Sequence, residues 1–190
     1  VDVGTTFWIS IPLQVDHSNI QKMIKTLPEG RKLLEGYHIL IAEDNELNME
    51  IVEFMLEKEG VSITKAWNGK EAVDLFRASK EGTFDLILMD IEMETMNAGI
   101  TATEMIRDKN PQAKIIFLTA HELREIIITA MGAGALDYIV KGCSDEEILY
   151  HIRCALEGHP VMQGQIQQTV MQEYARLQKS EQSLLFFINN

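Results

Sequence analysis

Cysteine is scarce in this chain of 190 residues. Only Cys143 and Cys154 occur, and neither belongs to a Cys-x-x-Cys pair or to a Cys/His cluster. This scarcity argues against a zinc site and against a framework of disulfides. It fits a reduced, cytoplasmic setting, which we therefore expect for the protein.

Basic residues and long apolar runs are also in short supply. Lysine and arginine number 17 against 29 aspartate and glutamate residues, which gives a formal charge of −12. Because nucleic-acid phosphates require a basic footprint, we expect no direct nucleic-acid binding by this chain. No apolar run approaches the roughly 20 residues that span a bilayer, and the first residues lack the basic and apolar regions of a signal peptide. We therefore expect no membrane segment in this chain.

The chain does contain four short apolar runs, each bounded by charged or turn residues and followed by a helical pattern. Such runs are typical of buried strands in a parallel sheet. The runs are His38–Ala42, Asp85–Met89, Lys114–Leu118 and Asp137–Val140. The alternation of strands and helices from His38 onward predicts an α/β fold, a doubly wound five-stranded parallel sheet in flavodoxin-like order.

Five helices are expected to alternate with these strands. The first is capped by Asn45 or Asn48. Its expected inward face comprises Ile51, Phe54, Met55 and Leu56. The second helix is expected to begin at Asn68-Gly69. The third is expected from Ile100 to Lys109 and the fourth from Glu122 to Met131. The fifth is expected to begin at Ser144 and to end near Gly158.

Polar residues stand at the ends of the apolar runs. They are Glu43, Asp44, Asp90, Thr119 and Lys141. Ligands of open α/β sheets bind beyond the carboxyl ends of the strands, and all five residues fall there. Three carboxylates, a hydroxyl and an ammonium group on one rim predict a site for a divalent cation and a phosphoryl group. Asp85, in contrast, opens its strand and is expected on the opposite rim.

Five blocks of sequence, in this order and at domain-scale spacing, carry a resemblance to a known family. The blocks are Ile39–Asn45, Trp67–Val73, Leu86–Met93, Phe117–Ala120 and Gly134–Gly142. On these blocks the chain resembles a response-regulator receiver domain of two-component signalling, over about residues 37–157. The resemblance implies a partner that donates the phosphoryl group, either a histidine kinase or a histidine phosphotransfer domain.

The resemblance also implies the roles of the acidic residues. Asp90 matches the residue that accepts a phosphoryl group from phosphohistidine. Glu43 and Asp44 match the acidic pair that holds Mg²⁺ (or Mn²⁺), together with Asp90 and the backbone carbonyl of Glu92. A receiver with this set assists its own phosphorylation and dephosphorylation.

Three further residues match the switch of the family. Thr119 matches the switch hydroxyl, which hydrogen-bonds a phosphate oxygen, and Lys141 matches the lysine that contacts the phosphate. Tyr138 matches the aromatic residue that changes rotamer when the domain is phosphorylated. Glu92 and His121 match positions that tune the lifetime of the phosphorylated state.

Two departures from the family pattern lie just after the predicted acceptor. Glu94 stands where proline is usual, and the following loop, Thr95–Gly99, is one residue longer. Both changes bear on the shape of this loop, and Glu94 adds negative charge. They leave an alternative function open, a pseudo-receiver that acts as a protein-interaction module without phosphorylation. A hydrolase of small phosphate esters that uses Glu92 as a second acid is a further alternative.

The flanks predict how the chain is divided. Residues 1–14 resemble the final strand of a histidine-kinase ATP-binding domain, and 15–36 are expected to be a linker. The receiver domain is expected at 37–158, followed at 159–190 by an amphipathic linker helix toward an output module that this chain does not contain. The protein would then be the receiver segment of a hybrid histidine kinase, without the kinase core.

The last segment carries a narrow apolar stripe with coiled-coil spacing. The stripe comprises Val170, Tyr174, Leu177, Leu184 and Ile188. This spacing predicts a homodimer through the carboxy-terminal helix. The alternative is an amphipathic helix that packs on its own domain.

Overall fold

The computed structural model describes residues 32–120, 123–162 and 164–188, with the side chains of 165 and 180–188 excepted. The predictions for 1–31, for His121 and for the side chains of Leu184 and Ile188 lie outside this range. The described residues form one compact unit from Lys32 onward.

Five strands and six helices alternate in the described residues. The strands are β1 His38–Ala42, β2 Ser62–Ala66, β3 Leu86–Met89, β4 Ile115–Thr119 and β5 Asp137–Val140. The helices are α1 Glu46–Lys58, α2 Gly69–Ala78, α3 Ala98–Lys109, α4 Arg124–Gly132, α5 Asp145–Leu156 and α6 Gly164–Ile188. The strands form one sheet in the order β2-β1-β3-β4-β5, and all neighbours are parallel. The predicted fold class is confirmed.

The strand register brings the carboxyl ends of the central strands to one rim. Ala42 pairs with Met89, Met89 with Phe117, and Thr119 with Val140. Because the strands run in the same direction, the residues that follow them emerge on the same side of the sheet. This register places Glu43, Asp90 and Lys141 at the same rim, after β1, β3 and β5.

Strand β2 is the one strand that no apolar run predicts. It lies at an edge of the sheet and pairs only with β1 among the described strands. Ser62 and Lys65 are exposed, and only Ala66 of this strand is buried. An edge strand with one covered side needs few apolar residues, so β2 has no continuous apolar signal.

The inward face of α1 differs from the predicted one. Asn45 caps the helix, since its Oδ1 accepts a hydrogen bond from the backbone N–H of Asn48 at 3.1 Å. The buried residues are Met49, Val52, Met55 and Leu56. The prediction was wrong for Ile51 and Phe54, which are 53% and 62% exposed. Two apolar stripes overlap on this helix, and the sheet covers the one that contains Met49 and Val52.

The other helices follow the predictions with small shifts at their ends. Asn68 and Ser144 cap α2 and α5 as expected, each accepting a hydrogen bond from a backbone N–H in the first turn. Helix α3 begins two residues earlier than predicted, at Ala98, and α4 two residues later, at Arg124. No helix in the described part of the chain is long and apolar enough to cross a membrane.

The first half of α6 packs on the domain itself. Ile166 is only 3% exposed and belongs to the same buried cluster as Tyr138 of β5 and Ile127 of α4. Arg124 at the start of α4 forms an ion pair of 3.3 Å with Glu173. From Tyr174 to Lys179, the last described side chains of α6, the residues are exposed.

The segment before β1 is part of the same compact unit. Leu34 is fully buried against the core, and its N–H donates to the carbonyl oxygen of Glu59 at 3.1 Å. The N–H of Leu33 donates to the Glu59 carboxylate at 3.0 Å. Residues 32–36, which the sequence assigns to a linker, therefore contact the end of α1.

Candidate functional site

Lys141 lies at the centre of a cluster of charges at the carboxyl rim of the sheet. Its Nζ is 2.6 Å from Glu43 Oε2 and 2.6 Å from Asp90 Oδ2. Glu43 follows β1, Asp90 follows β3 and Lys141 follows β5, so three separate strands supply the cluster. Both carboxylates are buried, whereas the lysine is partly exposed.

The two carboxylates stabilise the charged form of the lysine. Burial of Lys141 opposes its charge, but the hydrogen bonds to Asp90 and Glu43 outweigh this cost and raise the pKa of the ammonium group above its ordinary value. Lys141 is therefore a fixed positive charge at neutral pH. Such a charge is suited to contact an anionic group at this rim.

The Asp90 carboxylate is held on both sides. Its Oδ1 accepts a hydrogen bond from the backbone N–H of Ile91 at 2.7 Å, while Oδ2 contacts Lys141. Its own N–H donates to the carbonyl oxygen of Ala42 at 2.9 Å, which continues the pairing of β3 with β1. Asp90 thus has a defined position at the carboxyl rim of the sheet.

Asn48 is a site residue that the sequence pattern did not reveal. Its Nδ2 donates to Glu43 Oε1 at 3.0 Å, and the N–H of Asn45 donates to the same oxygen at 3.3 Å. The sequence predicts Asn48 only as an alternative helix cap, but its side chain turns back to the end of β1. The first turn of α1 therefore orients Glu43 toward Lys141.

Asp44 is placed differently from the other two carboxylates. It is exposed, whereas Glu43 and Asp90 are buried beside Lys141. Among the residues that the structure describes, no three Asp, Glu, His or Cys side chains are grouped closely enough to hold a metal ion. The chemistry of the donors nevertheless fits a hard cation, because carboxylate and carbonyl oxygens are the ligands that Mg²⁺ prefers.

Thr119 and Tyr138 lie on the neighbouring strands of the same rim. Thr119 is fully buried at the end of β4, and its carbonyl oxygen accepts a hydrogen bond from the Lys141 N–H at 2.7 Å. The Tyr138 side chain is fully buried, and its ring lies 6.4 Å from that of Phe117. The structure thus places Tyr138 inside the core below the rim, next to α4 and α6.

The loop after Asp90 is packed tightly against the end of β3. The N–H of Gly99 donates to the carbonyl oxygen of Ile91 at 3.0 Å. A Cβ atom at Gly99 would lie 1.9 Å from the carbonyl oxygen of Asp90, so only glycine fits there. Glu94 lies exposed in the same loop, and its Oε2 accepts a hydrogen bond from the N–H of Gly69 at 3.1 Å.

Acidic residues at the other rim have structural contacts. Asp85 Oδ2 accepts a hydrogen bond from the backbone N–H of His38 at 2.8 Å, which ties the start of β1 to β3. Asp137 at the start of β5 is fully buried and hydrogen-bonded to His151 of α5 at 2.5 Å. Burial raises the pKa of Asp137 above its ordinary value although the bond to His151 opposes this. As predicted, Asp85 lies away from the charge cluster.

The family of the chain follows from comparison with known proteins. The family model of the response regulator receiver domain matches residues 39–153 of the sequence. This match covers the sheet and helices α1–α5 apart from their outermost residues. The chain therefore belongs to the response regulator receiver domain family of two-component signalling.

Curated relatives include single-domain and multidomain proteins. The chain is 36% identical over 122 residues to the chemotaxis protein CheY of Bacillus subtilis, covering 64% of this chain and 98% of that protein. It is 36% identical over 123 residues to the uncharacterized transcriptional regulatory protein YkoG of the same species, 65% of this chain and 52% of that protein. Hybrid signal transduction histidine kinase I of Dictyostelium discoideum is 34% identical over 120 residues, 60% of this chain but 7% of the kinase. The chain thus spans about half or less of its multidomain relatives.

Solved structures share the fold. A two-component response regulator of the LuxR family from Aurantimonas sp. SI85-9A1 is 28% identical, with a TM-score of 0.64 over 73% of this chain and 97% of that one. A receiver domain protein (CheY-like) from Methanospirillum hungatei JF-1 is 26% identical, with a TM-score of 0.60 over 65% of this chain and 95% of that one.

Proposed function

We propose that Asp90 is the residue on which this receiver accepts its phosphoryl group. One carboxylate oxygen of Asp90 attacks the phosphorus atom of a phosphohistidine. The bond between nitrogen and phosphorus breaks, the imidazole leaves, and an acyl phosphate forms on Asp90. The observation that carries the proposal is the 2.6 Å contact between Lys141 Nζ and Asp90 Oδ2 at the carboxyl rim.

Lys141 offsets the repulsion between two anions. A carboxylate and a phosphoryl group repel each other as they approach, and a fixed ammonium group beside the attacking oxygen lowers that cost. Lys141 keeps its proton because Asp90 and Glu43 raise its pKa. Once the acyl phosphate has formed, Lys141 contacts a phosphate oxygen in place of the Asp90 carboxylate.

Receiver domains generally bind Mg²⁺, and the oxygen donors of this rim fit that ion. We assign the metal to Glu43, Asp44, Asp90 and the backbone carbonyl of Glu92. When bound, the ion neutralises charge on the phosphoryl oxygens and orients them. Asn48 and Lys141 hold Glu43 in place for this role through the contacts described above.

The switch is assigned to Thr119 and Tyr138. The Thr119 hydroxyl donates a hydrogen bond to a phosphate oxygen and draws the end of β4 toward Asp90. Tyr138 shares a buried cluster with Ile127 of α4 and Ile166 of α6, so a change of its rotamer alters the packing below both helices. The hydrogen bond of Thr119 at the rim would thereby change the surface around α4 and α6, to which partners can bind.

The partner that supplies the phosphoryl group is assigned as a histidine kinase or a histidine phosphotransfer domain. The similarity to hybrid histidine kinases supports a parent protein of that kind. We also propose a homodimer through α6, because Tyr174 and Leu177 remain 57% and 59% exposed on its surface. The family match and the contacts of Lys141 with Glu43 and Asp90 support phosphorylation, so the pseudo-receiver alternative is not favoured.

Intact-mass measurement after incubation with Mg²⁺ and acetyl phosphate tests the acceptor. The wild-type chain should gain the mass of one phosphoryl group, and the Asp90→Asn variant should gain none. Asp85→Asn is the matched control, because Asp85 directly precedes β3 at the opposite rim. The asparagine oxygen of this variant can still accept the hydrogen bond from the His38 N–H. An adduct of equal amount on Asp90→Asn would contradict the assignment.

A further inference from the structure

Glu94 is the residue at which this chain departs from the family pattern beside the acceptor. We propose that Glu94 is a positioning residue whose carboxylate ties the loop between β3 and α3 to the start of α2. The tie would hold the backbone carbonyl of Glu92 in place for the metal. This inference rests on the proposed function, since it concerns the same metal site.

The contact that carries the proposal joins two elements that are distant in sequence. Glu94 Oε2 accepts a hydrogen bond from the backbone N–H of Gly69, the first residue of α2, at 3.1 Å. The first N–H groups of a helix have no partner within the helix, and a carboxylate is favoured at this end by the helix dipole. The added negative charge of Glu94 is therefore compensated at the start of α2.

The start of α2 is a firm anchor for this loop. Asn68 Oδ1 accepts from the N–H of Glu71 at 2.7 Å, and Glu71 Oε2 accepts from the N–H of Trp67 at 2.7 Å. Gly69 is buried, and a Cβ atom there would lie 2.9 Å from the carbonyl oxygen of Ala98. The first turns of α2 and α3 are thus in close contact, and Glu94 is fixed with respect to both.

The rest of the loop is held at points on either side of Glu94. The N–H of Met93 donates to the carbonyl oxygen of Thr95 at 3.2 Å, and Gly99 is bonded to Ile91. The proline that is usual at this position restricts a loop through its fixed φ angle. Glu94 lacks that restriction, and its bond to Gly69 supplies a substitute in a loop that is one residue longer. Glu92 precedes this fixed point by only two residues.

The affinity for Mg²⁺ tests the proposal. It is measured by titrating the full chain with Mg²⁺ alone and following the NMR signals of the loop amides. Glu94→Ala should weaken Mg²⁺ binding by roughly tenfold, the low end for residues that orient metal ligands. Glu94→Gln should stay within about twofold of the wild-type chain, because its amide oxygen can still accept from Gly69. Asn97→Ala is the control, since Asn97 lies exposed in the same loop and forms no side-chain capping bond.

The outcomes separate this inference from the proposed function. Equal Mg²⁺ affinity for Glu94→Ala and the wild-type chain would overturn the positioning role, even if the wild-type chain is phosphorylated. An equal loss in Glu94→Gln and Glu94→Ala would assign the effect to charge and overturn it as well. A wild-type chain that binds Mg²⁺, is weakened by Glu94→Ala and takes up no phosphate would retain the positioning role and refute the phosphorylation. Absence of Mg²⁺ binding by the wild-type chain would overturn both.

Discussion

Lys141 holds together two carboxylates that would otherwise repel each other inside the rim of the sheet. Both Glu43 and Asp90 lie within 2.6 Å of its ammonium nitrogen. At the scale of single residues, this ion cluster links function to stability. The lysine that is proposed to assist phosphoryl transfer also compensates part of the buried negative charge of the resting site.

The Lys141→Met variant should be less stable than the wild-type chain by about 3 kcal/mol at pH 7, because two buried carboxylates lose their partner. The raised pKa of Lys141 sets the pH dependence. The stabilisation is complete below the pKa of an unfolded lysine, about 10.4, and is lost as the pH rises through the higher folded value. Urea unfolding from pH 7 to 11.5 measures it. A difference between the two chains that stays constant up to pH 11.5 would contradict this account.

Single residues at strand ends could be predicted from the sequence, whereas contacts between elements could not. The positions of Asp90 and Lys141 follow from apolar runs, because a parallel sheet brings strand ends to one rim. The bond from Asn48 to Glu43 and the bond from Gly69 to Glu94 depend on how a helix lies beside a loop. No local pattern encodes that geometry.

Among the elements, α3 has the closest contact with the acceptor strand. Its first turn approaches β3 so closely that Gly99 has no room for a side chain. Helix α3 begins at Ala98, ahead of the predicted Ile100, and Ala98, Gly99 and Ile100 are all buried. The first residues of the helix and the loop before it therefore form one packed unit with Asp90.

Gly99→Ala should destabilise the chain by about 2–3 kcal/mol, since the added Cβ atom would overlap the carbonyl oxygen of Asp90 and force the backbone to move. Gly132→Ala is the matched control. Nothing lies within 4 Å of a Cβ atom there, and the helical position should gain up to about 1 kcal/mol. Chemical denaturation compares them. Similar free energies of unfolding for both variants would argue against the close contact.

The remaining elements show why some sequence signals succeed and others fail. Strands β1, β3 and β4 are covered on both faces and yield continuous apolar runs. Strand β2 is an edge strand, and its mixed exposure leaves no such run. In α1 the apolar residues satisfy two overlapping helical stripes, so the sequence predicts an inward Phe54. In the structure Phe54 is exposed, and Lys58 Nζ lies 3.9 Å from the centroid of its ring.

At the scale of the whole molecule, α6 combines the two interpretations that the sequence left open. Its first half packs on α4 through the buried Ile166 and the ion pair between Arg124 and Glu173. Beyond that contact, Tyr174 and Leu177 continue the apolar stripe on an exposed surface. One helix can thus be docked on its own domain and still present a surface to a second copy.

Sedimentation of the full chain should give the mass of a dimer if this exposed stripe is the interface. A double substitution, Tyr174→Glu with Leu177→Glu, should give a monomer, because it places charges at the seam. The docked half of α6 is unchanged in this variant, so the fold provides an internal control by circular dichroism. A wild-type chain that sediments as a monomer would refute the dimer.

The central claim is that the acyl phosphate forms on Asp90, and its chemical location tests that claim most directly. Borohydride reduces an acyl phosphate to an alcohol, which converts a phosphorylated aspartate to homoserine. After incubation with Mg²⁺ and acetyl phosphate, reduction and peptide sequencing by mass spectrometry should reveal homoserine at position 90. Homoserine at position 44 or 85, with unchanged aspartate at 90, would contradict the account.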